Sequence, residues 1–154
     1  FGARTQATIV AGLEHREQAA TRVRLDEARA AGELLLGHLR ELPGVSRAEL
    51  AGAARRGKET VGTIRLVAAA ARPADVLEAF LAWPAVTHVE RRSEAWARFR
   101  LTGGVMGELT VTAPKDFARG WLFATGSPAH LARLQSIAAE RGVELDGVDD
   151  EHVL

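Results

Sequence analysis

The 154-residue chain is 47% hydrophobic and its 20 Lys and Arg balance its 20 Asp and Glu, which suits one globular domain with an ordinary core. The absence of cysteine excludes disulfides and thiolate metal sites, and no apolar run approaches the roughly 20 residues of a membrane span. A neutral total excludes a uniformly basic nucleic-acid protein, so phosphate binding would have to come from a local cluster, of which Arg55, Arg56, Lys58 and Arg65 form the densest.

No signal peptide is visible, and a cytoplasmic location with no membrane partner is expected. The chain opens on Phe1 rather than methionine, so further domains of the same polypeptide are expected. Arginine far outnumbers lysine and alanine is abundant, a codon bias expected of a GC-rich genome, so arginine richness alone carries no weight.

From Thr5 to about Arg40 the apolar positions recur at three- and four-residue steps, which predicts two helices with a break near Ala20 and Thr21. Pro43 and Gly44 end this segment. Shorter β-like runs follow at Val45 to Leu50, Thr63 to Ala69, Val86 to Arg91, Trp96 to Leu101 and Met106 to Thr112. A helix from about Ala74 to Ala82 interrupts them, with Val76, Leu77, Phe80 and Leu81 on one face.

Two of the strands alternate clearly. Ala97, Phe99 and Leu101 oppose Trp96, Arg98 and Arg100, while Leu109 and Val111 oppose Glu108, Thr110 and Thr112, so each has one wet face. The last helix starts at Ser127 as N-cap, takes Pro128 at its first position and stops at Gly142. The fold class expected is α+β: a mixed sheet with flanking helices, preceded by helices (1–42), built over 43–118, and followed by a small helical end (119–154).

Residue types without the right spacing read as structural. The histidines at 15, 38, 88, 130 and 152 show no metal-ligand pattern and are expected at the surface or in packing. Trp83, Trp96 and Trp121 are expected as packing or interface anchors.

The run from Gly52 to Leu66 resembles the active-site loop of bacterial family X DNA polymerases, which fill short gaps in DNA repair. Against that family's Gly-Ser-x-Arg-Arg-Gly-x-Glu-x-x-Gly-Asp-x-Asp, the chain matches at Gly52, Arg55, Arg56, Gly57, Glu59 and Gly62, and carries Ala53, Thr63 and Arg65 at the serine and the two aspartates. A second segment, Phe123 to Ser127 with His130, resembles the family's Tyr-Phe-Thr-Gly-Ser-x-x-His-Asn, with Ala124 and Leu131 departing from it. Phe1 to Ile9, with Gly2, resembles the tail of a helix-hairpin-helix, which grips DNA phosphate through backbone amides.

The resemblance implies a nucleotidyltransferase-like palm over 43–118 and a thumb-like part over 119–154. It implies nucleotide or phosphate contacts at Gly52, Arg56, Gly62, Thr125, Gly126 and Ser127, and DNA contacts at Gly2, Arg55 and Lys58. Gapped or primer-template DNA and a dNTP would be the partners, and Mg²⁺ or Mn²⁺ the cofactor. The third family carboxylate falls on Glu108.

The chemistry of the substitutions points away from metal binding. Two-metal phosphoryl transfer needs hard oxygen ligands, and carboxylates two apart on a strand supply them on one face. Thr63 offers only a neutral hydroxyl, and Arg65 sets a permanent positive charge where a cation would sit. At roughly 4 Å and an effective dielectric near 20, each unit-charge repulsion is worth about 4 kcal/mol. The expectation is therefore no metal site, impaired or absent polymerase activity, and an ion pair between Arg65 and Glu108. The alternative expectation is a non-catalytic scaffold that binds DNA or nucleotide and positions it for an attached exonuclease domain.

Overall fold

The computed structural model describes residues 22–142. The first expected helix and Gly2 lie outside the described residues. A two-residue strand, β1 (Val23–Arg24), leads into α1 (Leu25–Glu41), and β2 (Val45–Ala51) follows. Next come the short α2 (Gly52–Arg56), β3 (Thr60–Val61) and β4 (Thr63–Ala70). Then α3 (Pro73–Leu81), β5 (Val86–Arg92), β6 (Trp96–Leu101) and β7 (Met106–Thr112) complete the sheet. After a 3-10 turn at Pro114–Asp116, α4 (Phe117–Thr125) and α5 (Pro128–Arg141) close the described part.

The architecture is α+β, as expected. Five strands form one mixed sheet in the order β2-β4-β7-β6-β5, in which only β4 and β7 run parallel, and β1 pairs with β3 in a separate ribbon. The β4 to β7 crossover carries α3, β5 and β6, and helices cover the sheet unequally.

One face is fully covered. Ile64, Leu66, Ala68 and Ala70 of β4 alternate onto it with Ala97, Phe99, Leu101, Leu109 and Val111, and α1 and α3 pack against them. Helix α1 reaches this core because Ala28, Gly32, Leu35, Leu36 and Leu39 fall on one stripe, and α3 does so through Val76, Leu77 and Phe80. Phe80 meets Phe99 with ring centroids 5.3 Å apart, and His38 stacks on Trp83 at 4.1 Å. Gly107 is needed on this face, because a Cβ there would come within 2.4 Å of the Phe99 ring.

The other face is only half covered. Ala51, Val67 and Ala69 form a smaller core with Phe117, flanked by Trp121 and Ala124 of α4. Trp121 is anchored by its indole N–H, which donates to the Leu50 carbonyl at 2.9 Å. The Arg47 guanidinium lies over both Phe117 and Trp121, at 4.6 and 5.1 Å from the ring centroids, and Arg55 lies over Trp121 at 4.1 Å. Beyond α4, the same face of β7, β6 and β5 carries no helix among the described residues.

Within the 1–42 segment α1 packs into the sheet's core beside α3, and residues 118 and 119 both lie in α4. The sequence pattern does not show β1, α2, β3 and α4. Five- and two-residue elements are too short to show a period, and α4 packs through Phe117, Trp121 and Ala124, whose i, i+4, i+7 spacing follows directly on a strand and a proline. No helix among the described residues is long and apolar enough to cross a membrane.

Candidate functional site

The Gly52 to Leu66 segment folds as a turn of helix, a two-residue strand and the start of β4. Gly52 takes a left-handed backbone at φ +66°, which lets β2 turn directly into α2. Its bare Cα is covered by the stem of Arg65, because a Cβ there would stand 3.0 Å from Arg65 Cδ and 3.2 Å from its Cβ. The space at this glycine is therefore taken up by a side chain of the same protein. Gly62 is similarly close to Arg22, whose Nη1 would lie 3.2 Å from an added Cβ. Arg22 itself is tied to Thr60, donating from Nε to the hydroxyl and from Nη2 to the carbonyl, each at 3.0 Å. Lys58 is exposed, beyond the end of α2.

Arg65 and Glu108 are cross-strand partners in the parallel β4/β7 ladder, and Glu108 also pairs with Arg98 on β6. The side chains follow the register. Arg65 Nε lies 3.1 Å from Glu108 Oε2 and Arg98 Nη1 lies 3.8 Å from Oε1, so one carboxylate bridges two guanidiniums. The Glu108 side chain is 15% exposed, against 44% for Arg65 and 39% for Arg98, so the carboxylate is the sheltered member. The expected Arg65 to Glu108 ion pair is thus formed. Arg98 joins it as a residue the sequence reading passed over. Its only signal was its place beside Glu108's on the wet side of the alternating strands.

A divalent cation does not fit these donors. Thr63 faces the same side as Arg65, as the β4 register requires, but contributes only a hydroxyl. The single carboxylate, Glu108, is already charge-paired on both oxygens. Among the described residues no group of three His, Cys, Asp or Glu side chains could hold a metal. Hard cations such as Mg²⁺ need several oxygen ligands, and two fixed guanidiniums oppose their entry.

The segments Gly52–Leu66 and Phe123–His130 meet. Arg56 donates from Nη1 to the carbonyl of Thr125, 69 residues away in sequence. Around that contact Arg55, Arg56, Thr125, Gly126, Ser127 and His130 line an open groove of about 390 Å³. Ser127 caps α5, accepting from the His130 backbone N–H at 3.2 Å, and Pro128 and the left-handed Gly142 stand where the sequence places them. Thr125 is 7% exposed, and its hydroxyl is buried without a hydrogen-bond partner among the described residues.

On the other side of the α4 C-terminus, Arg65, Glu108, Thr110, Gly120, Phe123 and Ala124 line a second groove of about 300 Å³. Of the residues singled out from sequence, Arg55, Arg56, Thr125, Gly126 and Ser127 come together in the first groove. Arg65 and Glu108 come together in the second, whereas Gly62 and Lys58 line neither. No protein-family model and no curated protein matches the chain.

Of the three tryptophans, Trp83 and Trp121 anchor packing as expected. Trp96 stands half-buried on the helix-free part of the sheet, opposite Thr110.

Proposed function

We propose that this chain is a palm and thumb region of the family X DNA polymerase lineage that binds nucleotide or DNA phosphate without metal-dependent nucleotidyl transfer. The observation that carries this reading is the convergence of the two motif-bearing segments. Arg55 and Arg56 from one, and Thr125, Gly126 and Ser127 from the other, share a single groove. Guanidiniums suit phosphate oxygens, which accept charge-assisted hydrogen bonds.

The loss of transfer rests on the neighbouring site, where Arg65 and Arg98 hold Glu108. A DNA-repair role would then be one of holding a gapped or primed end. The scaffold reading, with an attached exonuclease domain, shares this binding and adds only the neighbour.

The test is primer extension on gapped DNA with Mg²⁺ and with Mn²⁺, beside calorimetric titration of a dNTP and of gapped duplex at low salt. No extension, with measurable binding that falls about tenfold or more in Arg56→Ala, is expected, the size following from a charge-assisted hydrogen bond. Incorporation by the wild-type chain would refute the loss of transfer. Absence of any binding to nucleotide or DNA would refute the reading as a whole.

A further inference from the structure

The helix-free part of the sheet carries a row of charges. In the ladders Arg65 is opposite Glu108, Glu108 opposite Arg98, and Arg98 opposite Arg91, so the four residues form one line across β4, β7, β6 and β5. Residues directly opposite each other share a face. The assignment of Arg91 to this side agrees with Arg92, which reaches Glu78 of α3 on the covered side. Three guanidiniums stand in the row against one carboxylate. Glu90, beside Arg91 in the chain, is met by Arg100 with Nε 3.3 Å from Oε1.

Glu108 does not neutralise the row so much as hold it. It is the most sheltered of the three and lies between Arg65 and Arg98, while both guanidiniums keep more than a third of their side-chain surface exposed. Arg91 has no ion-pair partner among the described residues and is exposed. Strands lie about 4.8 Å apart, so the row runs about 14 Å across the sheet from Arg65 to Arg91. That length accommodates more than one phosphate of a polynucleotide strand. Trp96, in the next row of the same face, adds an aromatic surface on which a base can stack.

We infer that Arg65, Arg98 and Arg91, set around the Glu108 carboxylate, form a seat for the phosphodiester backbone of a nucleic acid, which binds there without a divalent cation. This rests on the phosphate-binding reading above and names a second site for it, apart from the Arg56 groove. The occupant follows from charge complementarity and from the planar, donor-only fork of arginine, which matches phosphate oxygens.

The test is fluorescence anisotropy of a labelled single strand and a labelled duplex titrated with the full 154-residue chain, in EDTA, from 50 to 300 mM KCl. Binding is expected in EDTA, unchanged on adding Mg²⁺ at matched ionic strength. Arg98→Ala and Arg91→Ala are each expected to flatten the log–log salt slope on duplex by about 0.9, which weakens binding about eightfold at 0.1 M salt. Arg92→Ala removes the same charge from the opposite face and is expected to leave the slope unchanged.

Glu108→Gln keeps the side-chain shape, lifts the one negative charge and is expected to tighten binding about two- to threefold. Were Glu108 a metal ligand, the same change would weaken binding and only in the presence of Mg²⁺. Circular dichroism of each variant separates loss of binding from loss of fold. Unaltered slopes in Arg98→Ala and Arg91→Ala, together with loss in Arg56→Ala, would overturn this seat and leave the groove reading standing. A chain that binds neither probe would overturn both. Equal weakening by Arg92→Ala would reduce the effect to net charge and overturn the seat.

Discussion

Placing carboxylates at positions 63 and 65 gives the sharpest test of how the Arg65 site differs from a metal site. In Thr63→Asp/Arg65→Asp the pair between Arg65 and Glu108 disappears, and because Arg65 is 44% exposed its loss is worth only about 0.5–1 kcal/mol. In its place a carboxylate faces Glu108 across adjacent strands at about 5 Å, with the other about 7 Å along the same face. At an effective dielectric near 40 those repulsions are about 1–2 kcal/mol each, and salt screening removes about half. The sum is about 2–3 kcal/mol of destabilisation, which lowers Tm by about 5–10 °C for a domain of this size.

Three carboxylates on one sheet face are also a ligand set for a divalent cation. Mn²⁺ at about 100 times its Kd would return about 2.7 kcal/mol, close to the whole loss. Thermal melts of wild type and variant, each in EDTA and in Mn²⁺, read both halves. The expected pattern is a wild-type Tm indifferent to Mn²⁺ and a variant Tm that is low in EDTA and recovers in Mn²⁺. A wild-type Tm that climbs with Mn²⁺ as much as the variant's would refute the argument, since it would mean that Arg65 does not bar the cation.

Further outcomes test the scaffold around the site. Gly52→Ala forces a side chain into a left-handed backbone and against the Arg65 stem, and should cost about 1–2 kcal/mol from the backbone alone in urea unfolding. Combining it with Arg65→Ala should recover only the steric part, so a double-mutant cycle with no coupling would show that the two do not touch. Trp121→Phe removes the hydrogen bond to the Leu50 carbonyl and should cost about 1 kcal/mol while keeping an aromatic ring under Arg55. Phe80→Ala empties the centre of the covered face, where Phe80 is fully buried, and is expected to cost about 3–5 kcal/mol by chemical denaturation. Ser127→Ala removes the α5 cap for about 1 kcal/mol, seen as faster amide exchange in the first turn of that helix.

Much of the covered half of the fold is legible from local pattern. The alternation of Ala97, Phe99 and Leu101 against Trp96, Arg98 and Arg100 appears unchanged as buried and half-exposed sides of β6. The stripe of α3 lands on the core as spaced. Both results arise because a period of two or of 3.6 residues is itself the geometry that buries one face. Helix α4 resists this reading because the residues that fix it lie far away in sequence. Leu50 takes its Trp121 hydrogen bond, and Arg47 and Arg55 stack on its rings.

At the site the division runs the same way. The amino-acid sequence by itself determines the charges, with a hydroxyl at 63, a guanidinium at 65 and a carboxylate at 108, and it determines that 63 and 65 share a face. It also carries the glycine that the left-handed turn at 52 requires. Only the tertiary structure decides that Arg98 is the third partner, that Arg91 extends the row, that Arg65 covers Gly52, and that Arg56 meets Thr125. The reason is strand order. Residues on β4, β5, β6 and β7 become neighbours through a parallel crossover and two antiparallel ladders, and no spacing along the chain encodes which strand will lie beside which.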